Sequence, residues 1–291
     1  MSQPLFGWPL YSDVGPVYTP AFSGGSWSAG LPLTNLQDER VHRKARSATD
    51  STTDAQFDLD MGVARAGLRI VAGIGHNLSL AGLVRVRLST VADFATNVYD
   101  SGWVAPWENA YPATGLPSWH PSYASLDFTA EDADNYPLGL TFVTPAAVTA
   151  RYLRWEFDDS SNPDGYLEMG RLVVAPGWQP SYHPDQGAEI GYDTSSRSQE
   201  TDGGSFVHTD RARRRLVTLR FGDLPQNEAM VSFFEMQRRL GTTRQLFFVF
   251  DPEDGANLHR RSLLCYQRQL TALTMPSYGR NTVPVQLVEA L

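Results

Sequence analysis

Four oxygen-bearing side chains crowd one short stretch of the chain: Asp158, Asp159, Asn162 and Asp164, within DDSSNPDG. Clustered carboxylate and amide oxygens are what a calcium ion asks for. The spacing of a calcium-binding helix–loop–helix fails here, because a loop starting at Ser160 would need its closing Glu at position 171, which is Arg171. Asn-Pro-Asp-Gly is also strong turn chemistry. Asn and Asp bond their own backbone, and Gly accepts positive φ. A turn is the preferred reading, and no metal ligand set is assigned.

Other candidates fare similarly. Glu131, Asp132 and Asp134 pair carboxylates, but glycoside hydrolysis needs two carboxyls set roughly 5–9 Å apart across a sugar, and nearness in sequence does not supply that. Gly73-Ile-Gly75-His-Asn-Leu78 begins like a dinucleotide loop and lacks the third glycine and the helix that should follow. His76 has no His or Cys partner at metal spacing, so a turn between strands is expected around it. Cys265 is the only cysteine, which excludes an intramolecular disulfide, a Cys-rich zinc site and a CxxC pair. No nucleophile–base pair stands out, no cofactor is implied, and the expectation is a protein that is not an enzyme.

Two groups of side chains suit recognition instead. The stretch from Asp100 to Pro137 holds Trp103, Trp107, Trp119, Tyr111 and Tyr123. Aromatic faces stack on sugar rings and on protein partners alike; the same rings could equally plug the open end of a sandwich. Trp103, Trp107, Trp119 and Tyr111 are the candidate ligand-binding residues. Arg213, Arg214, Arg215 and Arg220 form the second group. They fall on or beside an alternating strand, so a subunit interface is preferred to a nucleic-acid site.

The elements that would carry these residues are mostly strands. Gln56–Asp60, Leu68–Ile74, Leu83–Leu88, Arg151–Phe157 and Tyr166–Ala175 are short apolar or alternating runs, the mark of sheets with one buried face. Separated by turn residues, they predict a β-sandwich. Ala175–Pro184, with three prolines and a glycine, cannot continue a helix or a central strand. The expected division is a sandwich over 1–178, a linker over 179–184 and a second unit over 185–291. In the second unit Arg213–Phe221 alternates, with Val217, Leu219 and Phe221 buried. A helix over about 224–240 follows, with Asp223 as its cap, Pro225 in its first turn and Gly241 as its stop. Strands at 245–251, 262–267, 269–275 and 283–288 complete an α+β unit. The fold class is therefore mainly β: a jelly-roll sandwich followed by one helix packed on antiparallel sheets.

Composition narrows the function classes. The chain has 291 residues, 42% hydrophobic and 19% charged, which suits packed cores rather than disorder. No stretch approaches the ~20 apolar residues of a membrane helix, so no membrane insertion is expected. The N-terminus lacks the basic and apolar regions of a secretory signal. The net charge of −8 argues against nonspecific nucleic-acid binding. All of it falls on residues 1–178, the remainder balancing to zero, which supports two units. Lys44 is the only lysine.

Gly75–Ser79 followed by Leu83–Leu88, together with Ala150–Leu172, resembles the discoidin-type (coagulation-factor 5/8 C-like) jelly rolls found in tail proteins of tailed bacteriophages. Leu31–Asp38 and Gln56–Gly62 sit where that family places its first turn and strand, and the likeness covers about 15–178. Arg213–Phe221, the helix ending in Arg238-Arg239-Leu240-Gly241, and Gln245–Asp251 resemble phage tail-tip ring proteins, including distal tail and minor tail proteins, over about 185–291. The resemblance implies a structural virion protein at the distal tail or baseplate, assembled in the bacterial cytoplasm. Its partners would be further copies of itself in a ring, the tail tube, the tape measure, and the hub or central fibre. The channel of such a ring passes DNA without specific binding. The jelly roll would project outward, and as an alternative function it would be a carbohydrate-binding adhesin for host cell-surface polysaccharide.

Overall fold

The computed structural model describes residues 2–15, 18–106 and 139–291. Trp107, Tyr111, Trp119, Tyr123, Glu131, Asp132 and Asp134 lie outside the described residues. In chain order the strands are β1 (Leu5–Gly7), β2 (Ala21–Ser23), β3 (Ala45–Arg46), β4 (Gln56–Ile74), β5 (Leu83–Ser89), β6 (Asn97–Asp100), β7 (Gly139–Asp158), β8 (Glu168–Met169), β9 (Arg171–Pro176), β10 (Glu189–Asp193), β11 (Arg197–Glu200), β12 (Phe206–Thr209), β13 (Arg214–Pro225), β14 (Leu246–Val249), β15 (Ser262–Gln267), β16 (Thr274–Ser277) and β17 (Arg280–Glu289). The protein is mainly β, as its alternating sequence predicts. It divides into two compact units: residues 1–179 with 247–262, and residues 180–246 with 263–291.

The first unit is a jelly-roll-type sandwich built on two long strands that bend. The first half of β4 lies between β2 and the second half of β7, where Phe57 faces Trp155 and Leu59 faces Leu153. β5 and β6 extend that layer. The second half of β4 pairs with the first half of β7 on one side and with β9 on the other. Between the halves the register shifts at Asp60/Arg65 and Arg65/Leu68. Gly62 and Gly67 both stand at φ +77°, which only glycine adopts without steric cost. The Arg65 guanidinium packs over the rings of Tyr11 and Tyr18, at 4.6 and 4.8 Å. Residues 56–60 and 68–74, which read as two strands, are thus one strand turning a corner.

The core lies between the layers. Phe57, Leu59, Val84, Val86, Leu88, Leu153, Trp155 and Phe157 meet Leu68, Val71, Leu140, Leu172 and Val174. Trp155 stacks on Phe157 at 5.8 Å and takes Phe142 edge-on at 5.7 Å. A jigsaw of fixed rings holds a sandwich rigid enough to present a site at its end.

One assignment needs correction. Residues 247–262 read as part of the second unit, but they belong to the first. β1 pairs with β14, placing Phe6 opposite Phe248, and the two rings touch at 5.1 Å. Such a pairing joins residues some 240 positions apart, so local pattern carries no trace of it.

In the second unit β17 pairs with β15, β16 and β13, and β13 with β10. β13 therefore lies inside its sheet, between β17 and β10. Its inward side chains Val217, Leu219 and Phe221 are buried with Val283, Val285 and Leu287. One helix, α1, covers them. It runs through Gln226–Glu228, a π turn at Ala229–Phe234, and Glu235–Leu240. Phe233 meets Phe221 at 5.4 Å. Gly241 ends the helix at φ +56°. Asp223 does not cap it, because β13 continues to Pro225, which holds the N-cap position without a side-chain bond.

Candidate functional site

A cleft of about 320 Å³ opens in the first unit, where β6 ends and β7 begins. Its walls include Tyr99, Val104, Pro106, Thr141, Phe142 and His259. Tyr99 is the penultimate residue of β6, and its last residue, Asp100, is clamped by Arg85 at 2.9 and 2.5 Å. That clamp holds the Asp100 carboxyl below its usual range, and burial raises the Tyr99 phenol. After a turn at Gly102 (φ +65°), Val104 exchanges two backbone hydrogen bonds of 2.9 Å with Val84. His259 comes from a separate helical turn, α2 (Leu258–Arg261), whose Arg261 is tied to Asp254 at 2.8 Å.

The arrangement sets two rings beside a hydroxyl, an imidazole and strand-end peptide groups. Rings offer stacking faces, and the polar groups offer directed hydrogen bonds, so the cleft suits a small polar ligand with apolar patches. Among the described residues its lining has no carboxylate, so the proton-transfer pair that hydrolysis of a glycosidic bond needs is missing from that lining. No three His, Cys, Asp or Glu side chains among the described residues converge to hold a metal ion.

Of the aromatic candidates, Trp103 is 43% exposed and is adjacent in sequence to the cleft residue Val104, without contributing to the wall. Trp107, Tyr111 and Trp119 are outside the described residues, yet the segment that carries them leaves the described chain at Pro106 and returns at Gly139, both wall residues. Tyr99 and His259 escaped sequence reasoning. They are 160 positions apart, and no spacing rule links them.

The arginine group splits. Arg213 and Arg214 are exposed, and Arg220 is exposed with Asp185 at 3.4 Å. Arg215 must be removed from the interface set. It is buried, and its guanidinium meets Glu289 at 2.5 Å while its backbone N–H donates to the same carboxylate at 2.9 Å. The alternation that buries Val217 and Leu219 buries Arg215 as well.

The DDSSNPDG stretch is a latch. Asp159 is buried and accepts from the Ser79 backbone N–H at 2.8 Å, from the Ser79 hydroxyl, and from the Asn162 amide at 2.9 Å. Asn162 accepts the Asp164 N–H at 3.0 Å, an Asx turn, and Asp164 accepts from Asn77 at 2.8 Å. These oxygens are spent on tying two loops together. His76 is buried in that region, and its Nδ1 accepts the Leu78 N–H at 3.3 Å. Burial, helped by the charge of Lys44, pushes its pKa down to about 3, so the ring is neutral. Gly75 (φ +75°) turns β4 into this loop and no helix follows, which removes the dinucleotide reading.

On the outer face of the sheet, charges are paired across strands: Arg151 with Asp60, Arg154 with Asp58, and Arg87 with Glu156, at 2.6–2.8 Å. Phe94 lies over Arg154 at 4.3 Å. That face is satisfied by its own side chains.

No protein-family model and no curated protein matches the chain. Solved structures overlap it at low similarity. One is the first family 32 carbohydrate-binding module of a family 31 glycoside hydrolase from Clostridium perfringens, with 15% identity, 57% of this chain, 98% of that chain and a TM-score of 0.34. A family 32 module from C. perfringens in complex with galactose gives 14%, 53%, 92% and 0.34. A fucose-binding module from Streptococcus pneumoniae gives 9%, 58%, 95% and 0.35. Overlap at that level establishes neither the family nor the ligand of this chain.

Proposed function

We propose that the first unit is a non-catalytic carbohydrate-binding module and that the cleft between Tyr99 and His259 is its site. The observation that carries this reading is the cleft's composition. Ring faces and hydroxyl-bonding groups converge without a charged pair, at a volume near the lower end of the roughly 300–1,000 Å³ range of ligand pockets. That size suits one or two sugar rings. Titrating the intact protein on a glycan array, followed by calorimetry on any hit, tests it; a protein that retains no glycan refutes it.

A second reading is favoured by a different observation, the two-stranded arm of β10–β13, whose residues 189–214 are all exposed. A surface of that kind suits a subunit that is covered in an assembly. Under this reading the chain is a structural component of a long-tailed phage, placed in the distal tail or baseplate ring next to tube, tape-measure and hub proteins, as its sequence resemblance implies. Locating the chain in purified particles by electron microscopy tests it, and its absence from virions refutes it. A ring subunit can carry a sugar-binding module, so the readings are compatible.

A further inference from the structure

The His259 wall of the cleft stands on very little helix. α2 is four residues long, Leu258–Arg261, and its N-cap, Asn257, makes no side-chain capping bond. The 3-10 turn before it, Gly255–Asn257, is shorter still. A single helical turn has no stability of its own in water. Side chains must therefore keep Leu258 and His259 in the cleft lining.

Asp254 supplies that hold. Its carboxylate accepts the Asn257 side-chain amide, at 3.1 Å to each oxygen, and the Arg261 guanidinium at 2.8 Å. Asn257 and Arg261 bracket Leu258, His259 and Arg260 in the chain. One carboxylate thus pins both ends of the segment that reaches the cleft. The Asn257 N–H also donates to the Asp254 carbonyl at 3.3 Å, and the Asp254 N–H to the Asp251 carbonyl at 3.3 Å. The loop closes at its base, where the Phe250 N–H donates to the Arg261 carbonyl at 2.9 Å and the Arg261 guanidinium lies over the Phe250 ring at 5.8 Å. Asp251 is buried at that base and accepts the Ser2 backbone N–H at 3.1 Å and the Ser2 hydroxyl at 3.3 Å. Residues 251–261 therefore form a compact loop with adjoining ends, braced by its own side chains, the build of an Ω-loop.

The side chains of Asp254 and Arg261 are 22 and 34% exposed, so their bond is partly shielded from water without the cost of full burial. Hydrogen bonds between charged groups are stronger than neutral ones. Neither residue is part of the cleft wall. We infer that Asp254 is a positioning residue of the sugar site: through Arg261 and Asn257 it fixes the turn that presents His259, and so sets the affinity of a cleft it does not line. This deepens the carbohydrate-binding reading and rests on it. When a binding-competent arrangement is populated only in part, the apparent affinity falls by that fraction.

Calorimetry on the full chain tests it, with the tightest-binding free sugar from a panel of neutral hexoses, 6-deoxyhexoses and N-acetylhexosamines. D254A and R261A are each expected to bind about tenfold more weakly. The double variant should be no weaker than either single one, because both remove the same brace. R261K keeps a cation beside Asp254 and should stay within about threefold of the wild type. The ring-proton resonances of His259, assigned by comparison with H259A, should move in sugar-free D254A and R261A and return in R261K. Melting temperatures certify the folded state; should D254A fail to fold, R261A and R261K carry the test. D254A and R261A proteins that bind as tightly as the wild type, while H259A binds poorly, overturn the positioning role and leave the sugar site standing. Losses that add in the double variant, or an R261K protein as weak as R261A, overturn that role as well. A wild type that binds no sugar of the panel, or an H259A protein that binds as tightly as the wild type, overturns the sugar site and the positioning role together.

Discussion

The guanidinium of Arg171 has no exposed surface and lies 2.6 Å from the carboxylate of Asp13. Burial holds the Asp13 carboxyl above its ordinary range, even against the pull of Arg171. This ion pair ties the N-terminal segment to β9. Removing one partner of a buried pair strands a charge, whereas removing both need not. Because burial already disfavours the Asp13 carboxylate, Arg171→Met, which leaves that carboxylate without its partner, is expected to be the costlier single change, at about 1–3 kcal/mol, and the double variant with Asp13→Asn to cost much less than the sum of the two. Chemical denaturation of the wild type, both single variants and the double variant checks this; additive losses would contradict it.

The corner of β4 yields a conformational prediction. A Cβ on Gly67 would meet only Pro176, at 3.8 Å, and one on Gly62 would meet Tyr18 at 3.5 Å. Space is therefore not the obstacle; the positive φ is. Gly62→Ala and Gly67→Ala should each cost about 1–2 kcal/mol. Unchanged denaturation midpoints would show that the corner relaxes without glycine.

His76 sets part of the acid limit. Its folded pKa, near 3, is below the ordinary 6.5, so as pH falls through 6.5 the unfolded chain takes up a proton that the folded chain refuses. The stability contributed by the neutral ring is complete above 6.5 and is lost as pH falls towards 3. The slope is about 1.4 kcal/mol per pH unit, or about 2 kcal/mol between pH 6.5 and 5. His76→Gln should flatten that limb in a series of thermal melts, while a parallel pH profile would rule His76 out as its source.

The sugar-binding proposal separates two aromatic residues. Tyr99→Leu and His259→Ala should each weaken glycan binding about tenfold, or about 1.4 kcal/mol. Trp103→Ala, outside the cleft wall, should have a smaller effect. Calorimetry with a glycan identified on the array ranks the three, and a larger loss for Trp103→Ala would move the site away from the cleft.

What the sequence revealed depended on burial. Gln56–Asp60, Leu83–Leu88, Arg151–Phe157 and Arg213–Phe221 were legible because one face of each meets a core, and alternation records that. The first half of β7 was not, because Pro145–Ala150 is small-residue chain with little contrast between faces. The arm around β11 and β12 left no signal for the opposite reason, since neither face is buried. The pairing of β1 with β14 and the placing of Tyr99 and His259 in the lining of one cleft are long-range events that no window contains. The DDSSNPDG turn was legible because Asn and Asp act on their own backbone.

Pro106 and Gly139 share one cleft wall. Each end of that wall is anchored by the sheet itself, Val104 through its two bridging bonds to Val84 and Gly139 through its pairing with Ile74. The wall is therefore set by strand register, and a change at Thr141 alters what the cleft presents while the buried rings of Phe57, Trp155 and Phe157 keep their packing.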